Sequence, residues 1–132
     1  MILIIDTTDS KIIKLILAQG VGDFVVQEIA GEYKQSEKLL VSINNILRKN
    51  KIDRQDLKQI GVVSGPGGFT SLRIGVVVAN TLAYALSVSV VGINKTDYKN
   101  DEELVKQVLN YKSNKKKLNI VMPKYGSEPN IG

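Results

Sequence analysis

Two stretches of this chain carry residue types that can do chemistry. The first is Asp6-Thr7-Thr8, which closes the apolar run Ile2 to Ile5. A carboxylate at the end of a buried strand is a metal-associated position, because a hard cation takes oxygen ligands. The competing role is local: Asp and Thr side chains also satisfy the backbone groups of a turn. The second stretch is Ser64-Gly65-Pro66-Gly67-Gly68-Phe69-Thr70-Ser71-Leu72-Arg73-Ile74-Gly75. It lies between a strand-like run, Gln59 to Val63, and a longer apolar run that ends at Leu86. Its glycines permit positive φ and close backbone approach, Pro66 stiffens the bend, and Thr70 or Ser71 is placed to cap the following helix. Such a turn turns free N–H groups and a helix N-terminus outward, which makes Gly67 and Gly68 candidate anion contacts. The alternative is a tight connection with no ligand.

Known phosphate loops do not fit. Walker A requires a lysine after its last glycine, and no lysine lies between Lys58 and Lys95. Gly65-Pro66-Gly67 begins a dinucleotide fingerprint, but Thr70 stands where the third glycine belongs. The chain has no His and no Cys, so it has no Ser–His pair, no disulfide and no imidazole or thiolate ligand. Asp9, Asp23 and Glu28 lie near Asp6 in sequence without forming a recognisable acid–base pair. No catalytic residue and no metal set is assigned. Arg73 can hold a phosphate or a partner's carboxylate in bidentate fashion, or bond the loop carbonyls around it.

The elements that must position these groups follow from periodicity. The 132 residues, 43% of them apolar, suffice for one domain with a real core. Ile2 to Ile5 reads as a central strand, Ile12 to Ala18 and Phe24 to Ala30 as two more, joined by short turns and therefore antiparallel. Residues 35–50 read as a helix with Leu39, Leu40, Ile43, Ile46 and Leu47 at the 3.6 period and Ser36 as a candidate cap. Ile60 to Ser64 is a fourth strand, residues 70–86 a second helix, and Ser87 to Ile93 a fifth strand. Asp101 to Tyr111 reads as a short helix and Leu118 to Met122 as a sixth strand. The pattern is α/β.

The net charge of +5 concentrates at Lys112, Lys115, Lys116, Lys117 and Lys124, in a stretch poor in aromatic residues. That distribution favours a solvated surface over a dedicated nucleic-acid patch. No apolar stretch reads as long enough to span a membrane, and no charged region precedes Ile2, which leads to the expectation of a cytoplasmic protein without a membrane partner.

The second helix is apolar nearly all round, interrupted only by Arg73, Asn80, Thr81 and Tyr84. A helix of that kind needs cover on two sides. The sheet supplies one, and the surface left over reads as a partner site. Gly75, Ala79 and Ala83 recur at spacing four and form a small-residue stripe that permits close helix approach. The positions expected to form a partner interface are Leu39, Ile43, Leu47, Leu72, Arg73, Gly75, Val76, Ala79 and Ala83. An ordinary core helix is the alternative.

The segment from Ser64 to Gly75 resembles the signature of the TsaB (YeaZ) proteins, usually Gly-Pro-Gly-Ser-Phe-Thr-Gly-Leu-Arg-Ile-Gly. This chain departs at Gly68, where Ser is usual, and at Ser71, where Gly is usual. Met1 to Thr8 is similar to the family's opening strand and Asp-Thr turn, and Gln35 to Leu40 to the start of its first long helix. Pro123 to Pro129 is loosely similar to its closing segment. The resemblance implies a ribonuclease H-like lobe of the actin-like ATPase superfamily: a mixed five-stranded sheet with helices, spanning residues 1–95. Residues 96–132 are then a shortened remnant and basic tail, with the second lobe largely absent, either in a reduced one-lobe relative or in an incomplete chain. It implies that Asp6, Thr7 and Thr8 stand where actin-like kinases bind phosphate, with ATP or ADP and Mg expected only at a partner interface. It also implies a non-catalytic subunit that pairs through the two helices of its first lobe with a catalytic TsaD-like subunit. A TsaE-like ATPase joins them in threonylcarbamoyladenosine formation on tRNA, and contact with tRNA is at most indirect. The other readings are a small nucleotide-binding or hydrolysing protein and a homodimeric scaffold.

Overall fold

Ile2, Leu3, Ile4 and Ile5 leave no polar face, so the strand they form must be covered on both sides. In the computed structural model of the chain, which describes residues 1–31, 36–111 and 121–122, that strand is β1 (Ile2–Asp6), at the centre of a five-stranded sheet. β2 (Ile12–Gly20) and β3 (Asp23–Ala30) follow as an antiparallel meander, with Leu3 opposite Leu17 and Ile16 opposite Val26. β4 (Gln59–Gly65) lies parallel to β1 on its other side, with Leu3 opposite Ile60. β5 (Ser89–Asn94) lies parallel to β4. The order is β3-β2-β1-β4-β5, which is the ribonuclease H-like plan expected from the resemblance.

Alternation along the strands divides the core in two. On one face, Leu3, Ile5, Leu15, Ile60 and Val62 pack against α1 (Ser36–Lys49) and α2 (Phe69–Leu86). On the other, Ile2, Ile4, Val63 and Val91 pack against α3 (Asp101–Leu109) through Leu104, Val105 and Val108. The Asn100 side chain caps α3 by accepting the Glu103 N–H at 2.8 Å, and three acids occupy its first turn, where they complement the helix dipole. α2 stops at Ser87, which takes the left-handed conformation (φ 56°) and donates its N–H back to the carbonyls of Ala83 and Tyr84.

Several expectations change. α2 begins at Phe69, and its cap is Gly68, which has no side chain to bond the helix N–H groups; neither Thr70 nor Ser71 is the cap. The Ser36 side chain lies outside the described residues, as does most of the expected sixth strand; Val121 and Met122 are described and belong to no strand. Leu40 is 46% exposed rather than packed with Leu39. By length and composition, the 18 residues of α2 do suffice to cross a membrane, contrary to the sequence reading. Its packing explains the composition otherwise. Leu72, Val76, Val78, Ala79 and Ala83 are all buried in the core of the domain.

Candidate functional site

β1, β4 and β5 run parallel, so their C-terminal ends open on one edge of the sheet, where open α/β sheets bind ligands. β4 continues into α2 on one face, and β5 continues through a 3₁₀ turn (Lys95–Asp97) into α3 on the other. The Asp6 turn lies beside the β4 exit and bonds both connections, through Thr7 to α2 and through Thr8 to Lys95.

The chemistry there is tightly interlocked. Asp6, 9% exposed, accepts on Oδ1 from the Thr8 N–H at 2.9 Å and from the Thr8 hydroxyl at 2.6 Å. Thr7 turns the other way and donates from Oγ1 to the Ser71 carbonyl at 2.7 Å, tying β1 to the first turn of α2. Gly67 lies on Thr8 so closely that a Cβ there would stand 2.8 Å from the Thr8 Cα and carbonyl oxygen. Gly75, one turn further along α2 from Ser71, lies on Thr7 in the same way, and a Cβ would overlap Thr7 Oγ1. The glycines at 67 and 75 therefore serve close approach of helix and loop to the Asp-Thr turn.

The sequence reading brings Asp6, Thr7, Thr8, Gly67 and Gly68 together, and the structure places all five at this edge, with Gly68 exposed. It missed three groups. Lys95, in the polar segment after β5, donates from Nζ to Thr8 Oγ1 at 2.8 Å. Tyr98 is half-buried nearby; burial pushes its hydroxyl well above the usual phenol range, and the carboxylates of Asp6 and Asp101 add to the shift. Asp101 is itself paired with Lys14 at 2.6 Å. Nothing local in the sequence marks Lys95, because its partner is 87 residues away.

This donor set does not fit Mg²⁺. A magnesium ion wants several free oxygens in octahedral array. Here Asp6 Oδ1 is occupied by Thr8, and an ammonium stands on the Thr8 hydroxyl. Among the described residues no group of three or more His, Cys, Asp or Glu side chains comes together. Arg73 is exposed, and among the described residues no carboxylate pairs with it.

The expected interface positions are placed differently from the reading. Leu39, Ile43, Leu47, Leu72, Gly75, Val76, Ala79 and Ala83 are all buried within the domain, where they join α1 and α2 to the sheet. The stripe Gly75-Ala79-Ala83 is internal, and Arg73 alone of the nine faces water. The large apolar side chains that α1 and α2 expose are Leu40, Val41 (57%), Val77 (54%), Phe69 and Tyr84 (77%).

Comparison with known proteins supplies the family. The family model described as TsaD, tRNA N6-adenosine threonylcarbamoyltransferase, matches residues 18–101. The tRNA threonylcarbamoyladenosine biosynthesis protein TsaB of Bacillus subtilis is 31% identical over 98 residues, 73% of this chain and 42% of that protein. The tRNA N6-adenosine threonylcarbamoyltransferase of Geotalea daltonii is 39% identical over 70 residues, 53% of this chain and 20% of that protein. In structure, YeaZ from Pseudomonas aeruginosa superposes with a TM-score of 0.63 at 23% identity, over 70% of this chain and 43% of that one, a likeness of fold. The chain thus spans less than half the length of the relatives it matches. Its sheet order, its interlocked Asp-Thr and glycine-rich turns and these matches agree: the chain belongs to the TsaD family and is similar to the TsaB (YeaZ) proteins.

Proposed function

We propose that this chain is a non-catalytic, cytoplasmic subunit in threonylcarbamoyladenosine modification of tRNA, and that it docks on a TsaD-like catalytic subunit through the outer faces of α1 and α2. The observation that carries this is the exposed apolar set Leu40, Val41, Val77 and Tyr84 on two helices of one layer. Solvent-facing helix positions are ordinarily polar, and apolar side chains repeated on adjacent helices mark an interaction surface. Similarity to TsaB and to threonylcarbamoyltransferases supports the choice of pathway. Any TsaE-like ATPase joins through that partner, and no membrane is involved.

The Asp6 edge supports a structural role over nucleotide hydrolysis. The carboxylate is engaged by its own turn, and the Lys95 ammonium bonds the Thr8 hydroxyl that Asp6 accepts from. Attack of water on a phosphoryl group needs a free base and a charge clamp.

The test is co-purification of the chain with the TsaD of the same organism. Val77→Glu and Tyr84→Glu are expected to abolish capture while circular dichroism stays native. Capture undiminished by both substitutions would overturn the docking face. Self-association in place of capture, lost with the same substitutions, would support the homodimeric scaffold.

A further inference from the structure

The flank of α2 carries a contact separate from the Asp6 edge. Asn80, half-buried, donates from Nδ2 to the Val121 carbonyl at 2.8 Å and accepts the Val121 N–H on Oδ1 at 2.9 Å. A primary amide presents a donor and an acceptor side by side. The N–H and C=O of one residue point the same way only where the backbone is extended, as on one edge of a strand. The Asn80 side chain therefore reads extended main chain, as the edge of a sheet does.

The side chain of Val121 meets a second complementary feature. A Cβ built on Gly92 of β5 would stand 2.6 Å from Val121 Cγ1 and 3.5 Å from the Cβ of Ser64 on β4. Position 92 without a side chain leaves a hollow between α2 and the last strand, and the branched side chain fills it. Val121 also packs against the core cluster that joins α1 and α2 to the sheet. Backbone recognition above and a side-chain hollow below are the two parts of a peptide-binding groove.

We propose that Asn80, Gly92 and Ser64 form a socket for an extended segment bearing a β-branched residue, and that Val121 of the same chain occupies it. The socket holds main chain with the Asn80 amide and selects the side chain by the space over Gly92. Among the described residues two hydrogen bonds and one side chain hold its occupant, a hold light enough for a free peptide to compete for. It stands whether or not the α2 face docks a partner. It adjoins that face, since Val77 and Tyr84 lie three residues before and four after Asn80 and share its side of the helix.

The test uses the full chain. The amide of Val121 is followed by hydrogen exchange in the wild type, in Asn80→Ala and in Gly92→Ala. Loss of the Asn80 bonds is expected to speed exchange at Val121 about tenfold or more. Gly92→Ala, which fills the hollow and leaves the amide in place, is expected to do the same. Amides of β1 and β4 serve as the control and keep their protection. In a second arm, a labelled peptide of the sequence Leu118 to Lys124 is added to the Val121→Gly chain. It is expected to bind there, more weakly to the wild type, and not to the chain that also carries Asn80→Ala. Exchange at Val121 as fast in the wild type as in Asn80→Ala, or peptide binding indifferent to Asn80→Ala, would overturn the socket.

Discussion

Gly75 stands against Thr7 with no room for another carbon between them: a Cβ on the helix would overlap the hydroxyl that bonds the Ser71 carbonyl. The pair fixes how far α2 can approach the end of β1. Gly75→Ala is expected to destabilise the domain by about 1–3 kcal/mol, the usual cost of overpacking. Thr7→Ala removes the obstructing hydroxyl along with its hydrogen bond, at about 1 kcal/mol or more. The double variant should cost less than the sum of the two, and urea denaturation of all four proteins in a cycle measures the difference. Strict additivity would mean that the two residues do not meet.

Ala79 and Val77 separate core from surface on one helix. Ala79 is fully buried and Val77 is 54% exposed. Ala79→Arg buries an unpaired charge and is expected to unfold the domain, whereas Val77→Arg is expected to leave the circular dichroism spectrum native. A folded Ala79→Arg chain would contradict the assignment of the small-residue stripe to the core.

Ser71 buries a hydroxyl that has no hydrogen-bond partner among the described residues, while the helix it belongs to lacks a side-chain cap at Gly68. The two positions are linked, because a Cβ on Gly68 would stand 3.2 Å from Ser71 Oγ. Ser71→Ala is expected to raise the unfolding free energy by roughly 1 kcal/mol, since an unsatisfied buried group costs about that much or more. Adding Gly68→Ser in that background supplies a capping oxygen in an extended conformation suited to it, for up to about 1 kcal/mol more. Thermal denaturation of the single and double variants checks both steps.

The Tyr98 hydroxyl is harder to ionise in the folded chain than in the unfolded one, through burial first and then the carboxylates of Asp6 and Asp101. The neutral form is the one favoured by folding. Its contribution is therefore intact below the ordinary phenol pKa of about 10 and is lost as the pH rises above it. Stability is expected to fall above about pH 10, and less steeply in Tyr98→Phe. A spectrophotometric tyrosinate titration should show one of the five tyrosines ionising later than the rest, and Tyr98→Phe should remove it.

The sheet was legible because its strands announce their surroundings. Four consecutive apolar residues in β1 demand two covered faces, and the helices on either side supply them. α1 was half legible: Leu39, Ile43, Ile46 and Leu47 mark its buried stripe, but the adjacent Leu40 belongs to the exposed side. α2 was legible as a helix and not as a face. Periodicity identifies the inward side by contrast, and Val76, Val77 and Val78 offer none, although only Val77 is exposed. The Asp6 edge was legible in its local half, since Asp6 to Thr8 and Gly67 to Gly68 lie in two short segments. Lys95 and Tyr98 reach it only through the packing of β5 beside β4, a relation between segments far apart in the chain.

Thr7 bonded to Ser71, and Gly67 seated on Thr8, have a mechanical meaning. They join the exit of β1 to the exit of β4 at two points on either side of the α2 N-terminus. The helix is therefore anchored to the Asp-Thr turn directly, and not hung from the end of β4 by the glycine-rich segment alone.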